Sequence, residues 1–221
     1  MKKVLILCML LLGFNLLKAQ NEVQSIKGYH KHDGFYLSMN IGPAFSNVTD
    51  NVKAFRGSSA FNLDMSGQGA VMDLKIGGAI RENLILHATL ISNFMSGPTI
   101  VTSRNGSLTS AKAPKSFTIS DDMYGVGLTY YVMPSNYLVS GSIGIGTFTM
   151  LDSGQDNTSI STQGGFAMQL KLGKEWWVSK NWGLGVGLTY SKTNVTNEPS
   201  NGELEHLNSN QFGILFNTTF N

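Results

Sequence analysis

The sequence predicts an all-β fold, an eight-stranded antiparallel transmembrane barrel in up-and-down meander order. Three observations predict it. Segments that alternate apolar with small or polar residues recur eight times along the 221 residues. Charged residues make up 14% of the chain, against about 25% in an ordinary soluble domain. Short connections alternate with long ones, as they do where tight turns gather at one end of a barrel and loops at the other. After the amino-terminal segment no stretch has the ~20 apolar residues of a spanning helix, so a spanning chain must cross with strands.

The opening "MKKVLILCMLLLGFNLLKAQ" has a basic head, a short apolar middle and a small-residue exit. It reads as a secretory signal peptide over residues 1–19, cleaved near Ala19. Cys8, the only cysteine, lies inside it, so the exported chain has no thiol for a disulfide, metal or nucleophile. Lys2, Lys3 and Lys18 leave with it, which turns the formal net charge of +2 into a slight acidic excess. No basic patch remains to argue for nucleic acid. Residues 20–33 form a linker on the periplasmic side, and residues 34–221 the barrel. Within the linker, "HKHD" sets His30 and His32 on one side of an extended chain. That spacing suits a metal pair, but with no further ligand set a solvated linker is the favoured reading.

Each strand follows from period-two alternation. In "FYLSMNIGPAF" Phe35, Leu37, Met39, Ile41 and Phe45 oppose Tyr36, Ser38, Asn40, Gly42 and Ala44. In "AVMDLKIGGAI" Met72, Leu74 and Ile76 oppose Asp73, Lys75 and Gly77, and in "LILHATLISNF" Leu86, Leu90 and Phe94 oppose His87, Thr89 and Asn93. Ile85 and Ile91 are the less orthodox members of the third strand. "YGVGLTYYV" and "YLVSGSIGIG" repeat the pattern with glycines on one face. "FAMQLKLGKEWWV", "WGLGVGLTY" and "FGILFNTTF" complete the eight. Three junctions, "RENLIL", "PSNYLV" and "SKNWGL", place Asn83, Asn136 and Asn181 just before a strand. Asparagine tolerates the left-handed backbone of a tight turn, so these are the short turns. The long connections, residues 47–67, 96–120, 150–162 and 193–208, are rich in Ser, Asn, Thr, Gly and Asp.

With this alternation over residues 34–221, the chain resembles the small eight-stranded outer-membrane barrels of the OmpA, OmpX and OmpW type. The string "GKEWWVSKNWGLG" is similar to a stretch found in uncharacterised bacterial outer-membrane proteins of that kind. The resemblance implies the outer membrane of a Gram-negative bacterium, insertion by the barrel-assembly machinery, and contact with outer-membrane lipid and lipopolysaccharide. It also implies work done by the four loops as a surface-binding or envelope-structural module. A narrow conduit for small or apolar solutes, as the OmpW resemblance implies, is the second reading, and a lipid-modifying enzyme the third.

Eight strands enclose a space about wide enough to be filled by side chains. Asp73, Lys75, His87, Lys171 and Glu175 fall on the inward face, where charges are costly unless paired, so a polar network is expected there. Trp177 turns inward beside them and is expected to plug the periplasmic end. Trp176, Trp182 and Tyr137 face outward beside short turns, the position of an interfacial aromatic belt. His87 with Ser92 or Asp73 makes no ordered hydrolytic set, and no nucleophile elbow surrounds it. "GSIGIG" and "GLGVG" lead into no helix, so they are strand faces and not phosphate loops. Asp121 and Asp122, at the head of the fourth strand, read as a solvated rim in preference to a divalent-ion or lipopolysaccharide contact. No catalysis, cofactor or metal centre is expected.

Overall fold

A computed structural model describes residues 31–52, 61–104, 106–154, 158–198 and 204–221. The expected signal peptide, Cys8, His30 and most of the linker lie outside the described residues. The chain runs through β1 (Phe35–Val52), β2 (Phe61–Arg81), β3 (Leu84–Ser96), β4 (Thr99–Arg104), β5 (Ser107–Lys112), β6 (Phe117–Val132), β7 (Tyr137–Asp152), β8 (Thr158–Ser161), β9 (Gly165–Trp177), β10 (Trp182–Asn197) and β11 (Glu205–Phe220). Eight of these close an antiparallel barrel in the order β1, β2, β3, β6, β7, β9, β10, β11, with β1 pairing both β2 and β11. Closure removes every free edge at membrane depth, which is what a strand-built membrane protein requires.

Alternation sets the two faces throughout. On β1, Tyr36, Ser38 and Asn40 are buried while Phe35, Met39 and Ile41 are exposed. On β3, Ile85 and Ile91 are buried with His87 and Thr89. The two isoleucines that looked out of pattern are thus lumen residues. Outside, the exposed faces carry apolar side chains from Phe35 to Phe45 on β1 and, broken only by Thr218, from Phe220 back to Phe212 on β11, then turn polar at Asn47 and Asn210. Ten residues of tilted strand span about 25 Å along the barrel axis, the height of an outer-membrane barrel's apolar band.

The two ends differ. At one end β2 passes to β3 through Glu82 and Asn83, and Asn83 and Asn136 take left-handed backbone at φ 66 and 56. Asn181 does not. The third turn spreads over residues 178–181, with Val178 N–H and Ser179 N–H both donating to the Trp182 carbonyl at 2.8 and 3.2 Å. A reversal spread over four residues needs no left-handed residue. At the other end the expected loops are largely strand. β1 and β2 continue as a paired ribbon to Val52 and Phe61, residues 96–120 contain the β4–β5 hairpin against β2, and β8 folds onto β7. Polar composition hid these strands, because above the apolar band neither face has to be apolar.

Glycine sets how sharply the wall curves between β6 and β7. Gly125 and Gly144 face each other across the ladder, and a Cβ on either would lie 2.2 Å from a carbonyl oxygen of the opposite strand. Only hydrogen fits there.

Candidate functional site

The inward residues stack into layers along the lumen. At the short-turn end Tyr36, Ile85, Tyr131 and Leu138 form a buried cluster. His32, just before β1, is fully buried against it, its ring stacked on Tyr131 at 3.5 Å and tilted against Trp177 at 4.9 Å. Two of the turn asparagines hold it. His32 Nε2 meets Asn136 Oδ1 at 2.9 Å, and the Asn83 N–H donates to the His32 carbonyl at 2.9 Å. His32 is therefore not part of a solvated linker, while His30, the other half of the expected pair, lies outside the described residues. Trp177 sits at this mouth beside His32, so the closure is shared among Trp177, His32 and Tyr131.

Above this cluster lies the polar layer. Lys75 Nζ contacts Asp73 Oδ2 at 2.5 Å and donates to Gln169 Oε1 at 2.8 Å, while Gln169 Nε2 donates back to Asp73 Oδ2 at 3.2 Å. Lys171 Nζ donates to Asn40 Oδ1 at 2.6 Å, and Asn40 Nδ2 donates to the Asp73 carbonyl at 3.1 Å. Glu175 Oε1 accepts from Tyr131, Asn217 and Thr219 at 3.2, 2.7 and 2.8 Å. His87 hydrogen-bonds neutral groups only: its ring nitrogens meet Thr89 at 2.9 Å and Thr129 at 3.0 Å, and those hydroxyls continue to Ser142 and Ser140. Among the described residues, Asp73 with Lys75 is the one buried ion pair. Glu175 is held by neutral donors.

A small apolar layer of Ala44, Val71, Ile91, Met123, Ala167 and Leu215 follows. Asp121 lies beyond it, 2% exposed, accepting from Thr193 at 2.8 Å on Oδ1 and from Ser209 and Gln211 at 2.5 and 3.0 Å on Oδ2. It is not a solvated rim residue. The strand begins at Phe117, seven positions before Tyr124, and its parity sends Asp121 inward with Met123, whereas Asp122 points outward to Ser92 and Ser120. An apolar cap of Val48, Met65, Met95, Ile119, Phe148, Val195 and Leu207 closes the loop end.

Outside, Tyr137, Trp176 and Trp182 are exposed at the short-turn end. Trp182 meets Phe220 edge-on at 5.3 Å, and Lys174 Nζ lies 4.3 Å from the Tyr137 ring centre and 5.5 Å from that of Trp176. Lys174 went unnoticed in the sequence, although its parity with Trp176 puts it in that ring. A lysine stem lying along apolar surface with its ammonium at an aromatic face suits the edge of a bilayer.

No protein-family model matches the sequence, and no curated protein is significantly similar to it. Among solved structures, the crystal structure of Neisserial surface protein A matches with a TM-score of 0.52 at 12% identity, over 84% of this chain and 96% of that one. The chain is a small β-barrel of the outer-membrane type. Two further barrels match less closely. OprG from Pseudomonas aeruginosa has a TM-score of 0.47 at 13% identity, over 86% of this chain and 97% of that one. Ail, the attachment invasion locus protein of Yersinia pestis, has a TM-score of 0.40 at 12% identity, over 84% and 99%. What this outer-membrane-type barrel shares with Neisserial surface protein A is the fold.

Proposed function

We propose that this barrel sits in the outer membrane of a Gram-negative bacterium, with its short turns and N-terminus in the periplasm. In this reading its loops bind a partner at the cell surface, with a structural contribution to the envelope. The filled lumen is the observation that carries the proposal. Tyr36, Tyr131, Lys75, Lys171, Phe148 and Leu207 are all within 2% of full burial, from one mouth to the other. A solute would have to displace both the ion-paired layer and the apolar cap. The loop end, by contrast, presents the β4–β5 hairpin with every residue of β5 exposed, Leu108 at 73%. Outer-membrane lipid and lipopolysaccharide surround the band, and the barrel-assembly machinery inserts it.

Binding without catalysis is part of the same proposal. The residues that could be drawn as a hydrolytic set are separated: His87 engages threonine hydroxyls, Asp73 is held by Lys75, and Ser92 faces outward to Asp122.

The test sets two readouts against each other. Removing Thr99–Lys112 should reduce adhesion of expressing cells to host cells or matrix by about fivefold or more, with the barrel still folded, while liposomes holding the wild-type protein swell no faster than empty ones. Rapid swelling by the wild type that Lys75→Ala changes, with adhesion untouched, would move the function into the lumen.

A further inference from the structure

Above the apolar cap, at the loop end, two carboxylates face the barrel interior on neighbouring strands. Asp50 pairs with Leu207 and Val52 pairs with Glu205, so Asp50 and Glu205 are diagonal neighbours on one face of the β1–β11 ladder. Diagonal Cβ atoms in such a ladder lie about 7 Å apart. Asp50 is 7% exposed and its Oδ1 is buried with no hydrogen-bond partner. Glu205 is held from one side only: Asn197, its direct partner on β10, donates Nδ2 to Oε2 at 3.0 Å. The floor beneath is Val48, Val195 and Leu207.

A buried carboxylate oxygen costs free energy unless something positive or hydrogen-bonding meets it. Among the described residues no side chain opposite or beside it does so here. On β2 the residue opposite Asp50 is Leu63, and Asp64 points outward to Thr49. On β10 Asn197 is neutral, and its Oδ1 already accepts from the Gln163 N–H at 3.1 Å. We propose that Asp50 and Glu205 hold a divalent cation, with calcium as the fitting ion, at the loop-end rim of the barrel. Calcium takes carboxylate oxygens at about 2.3–2.6 Å in irregular geometry and completes its shell with water. One ion therefore spans the diagonal, meets the orphaned Asp50 oxygen and ties β1 to β11 at the barrel's closing seam.

Without the ion the site is repulsive. Burial and the neighbouring Glu205 carboxylate push the Asp50 carboxyl up to about 6 from its usual 3.8, well above the apolar band.

The experiment uses the full mature chain folded in zwitterionic detergent without lipopolysaccharide, titrated with calcium chloride in a calorimeter. One saturable site is expected, with a dissociation constant of about 10⁻⁴–10⁻³ M, the range of extracellular calcium modules. Asp50→Asn and Glu205→Gln should each weaken it by about tenfold or more, Asp152→Asn on the β7 rim should leave it unchanged, and binding should weaken at pH 5 as protons compete. Heat-modifiable gel mobility establishes that each variant is folded. Wild-type affinity in folded Asp50→Asn, or no saturable binding by the folded wild type up to about 10 mM calcium, overturns the proposal. Neither result bears on whether the β4–β5 hairpin binds a surface partner.

Discussion

At the short-turn end the lumen is closed by directional contacts: a histidine stacked on Tyr131, two asparagine turns gripping its backbone and ring, and Glu175 accepting three hydrogen bonds. At the loop end it is closed by shape, with seven apolar side chains packed together and no hydrogen bond required of any of them. Directional closure fixes one geometry, because a small displacement loses a bond and leaves a buried group unsatisfied. Apolar closure accepts rearrangement as long as volume is conserved. The barrel is thus rigidly specified where its chain enters and more permissive where its loops emerge.

The largest expected break in that comparison is at Lys75. Lys75→Ala leaves the Asp73 carboxylate buried without its cation, and removing one partner of a buried pair costs about 3–5 kcal/mol. Urea unfolding in lipid vesicles, followed by tryptophan fluorescence, measures it. The double change Asp73→Leu with Lys75→Met removes both charges and should recover most of that loss, since replacing a buried pair by apolar groups is often neutral. A double variant as unstable as Lys75→Ala would mean that the layer is specified by packing and not by charge, and the contrast with the cap would fall.

At the cap, Leu207→Ala should cost about 2–5 kcal/mol by opening a cavity, with the lower part of that range expected where neighbours can collapse inward. Met65, Met95 and Ile119 surround the space, and methionine readily fills irregular gaps. Leu207→Met, which keeps volume, should cost less than about 1.5 kcal/mol. If the two substitutions cost the same, the cap is as sharply specified as the polar layer beneath.

The eight strands and their two faces could be read in the sequence because the membrane imposes them. Outward residues at bilayer depth are overwhelmingly apolar, so period two shows plainly from Phe35 to Phe45 and from Phe212 to Phe216. Above the band that constraint ends, and the ribbon to Val52, the β4–β5 hairpin and β8 carry no such signal. Nor could the lumen pairings be read. Lys171 meets Asn40 from 131 positions away and Lys75 meets Gln169 from 94. Parity says that all four face inward, while the shear of the barrel decides which of them meet. Asp121, expected at a solvated rim, was readable as a lumen residue: extending the parity of Gly125 two steps back through Met123 places it inside.

The smallest effect tests the short-turn end itself. Among the described contacts, His32→Ala removes the stack on Tyr131, the tilted ring contact with Trp177 and the side-chain hydrogen bond to Asn136, together about 1–3 kcal/mol. Its influence should be local, because the Gly34 carbonyl still accepts from Ala79 N–H and Lys31 still pairs with Glu82 at 3.1 Å. The expected signature is a small loss of global stability beside a larger gain in hydrogen exchange at the Asn83 and Tyr131 amides, since Asn83 N–H bonds the His32 carbonyl and Tyr131 N–H the Asn83 carbonyl. His32→Phe separates the two contributions. It retains the ring on Tyr131 and loses the bond to Asn136, so it should recover the stacking share alone. Full recovery would show that the hydrogen bond contributes nothing, and that this mouth, like the other, is closed by shape.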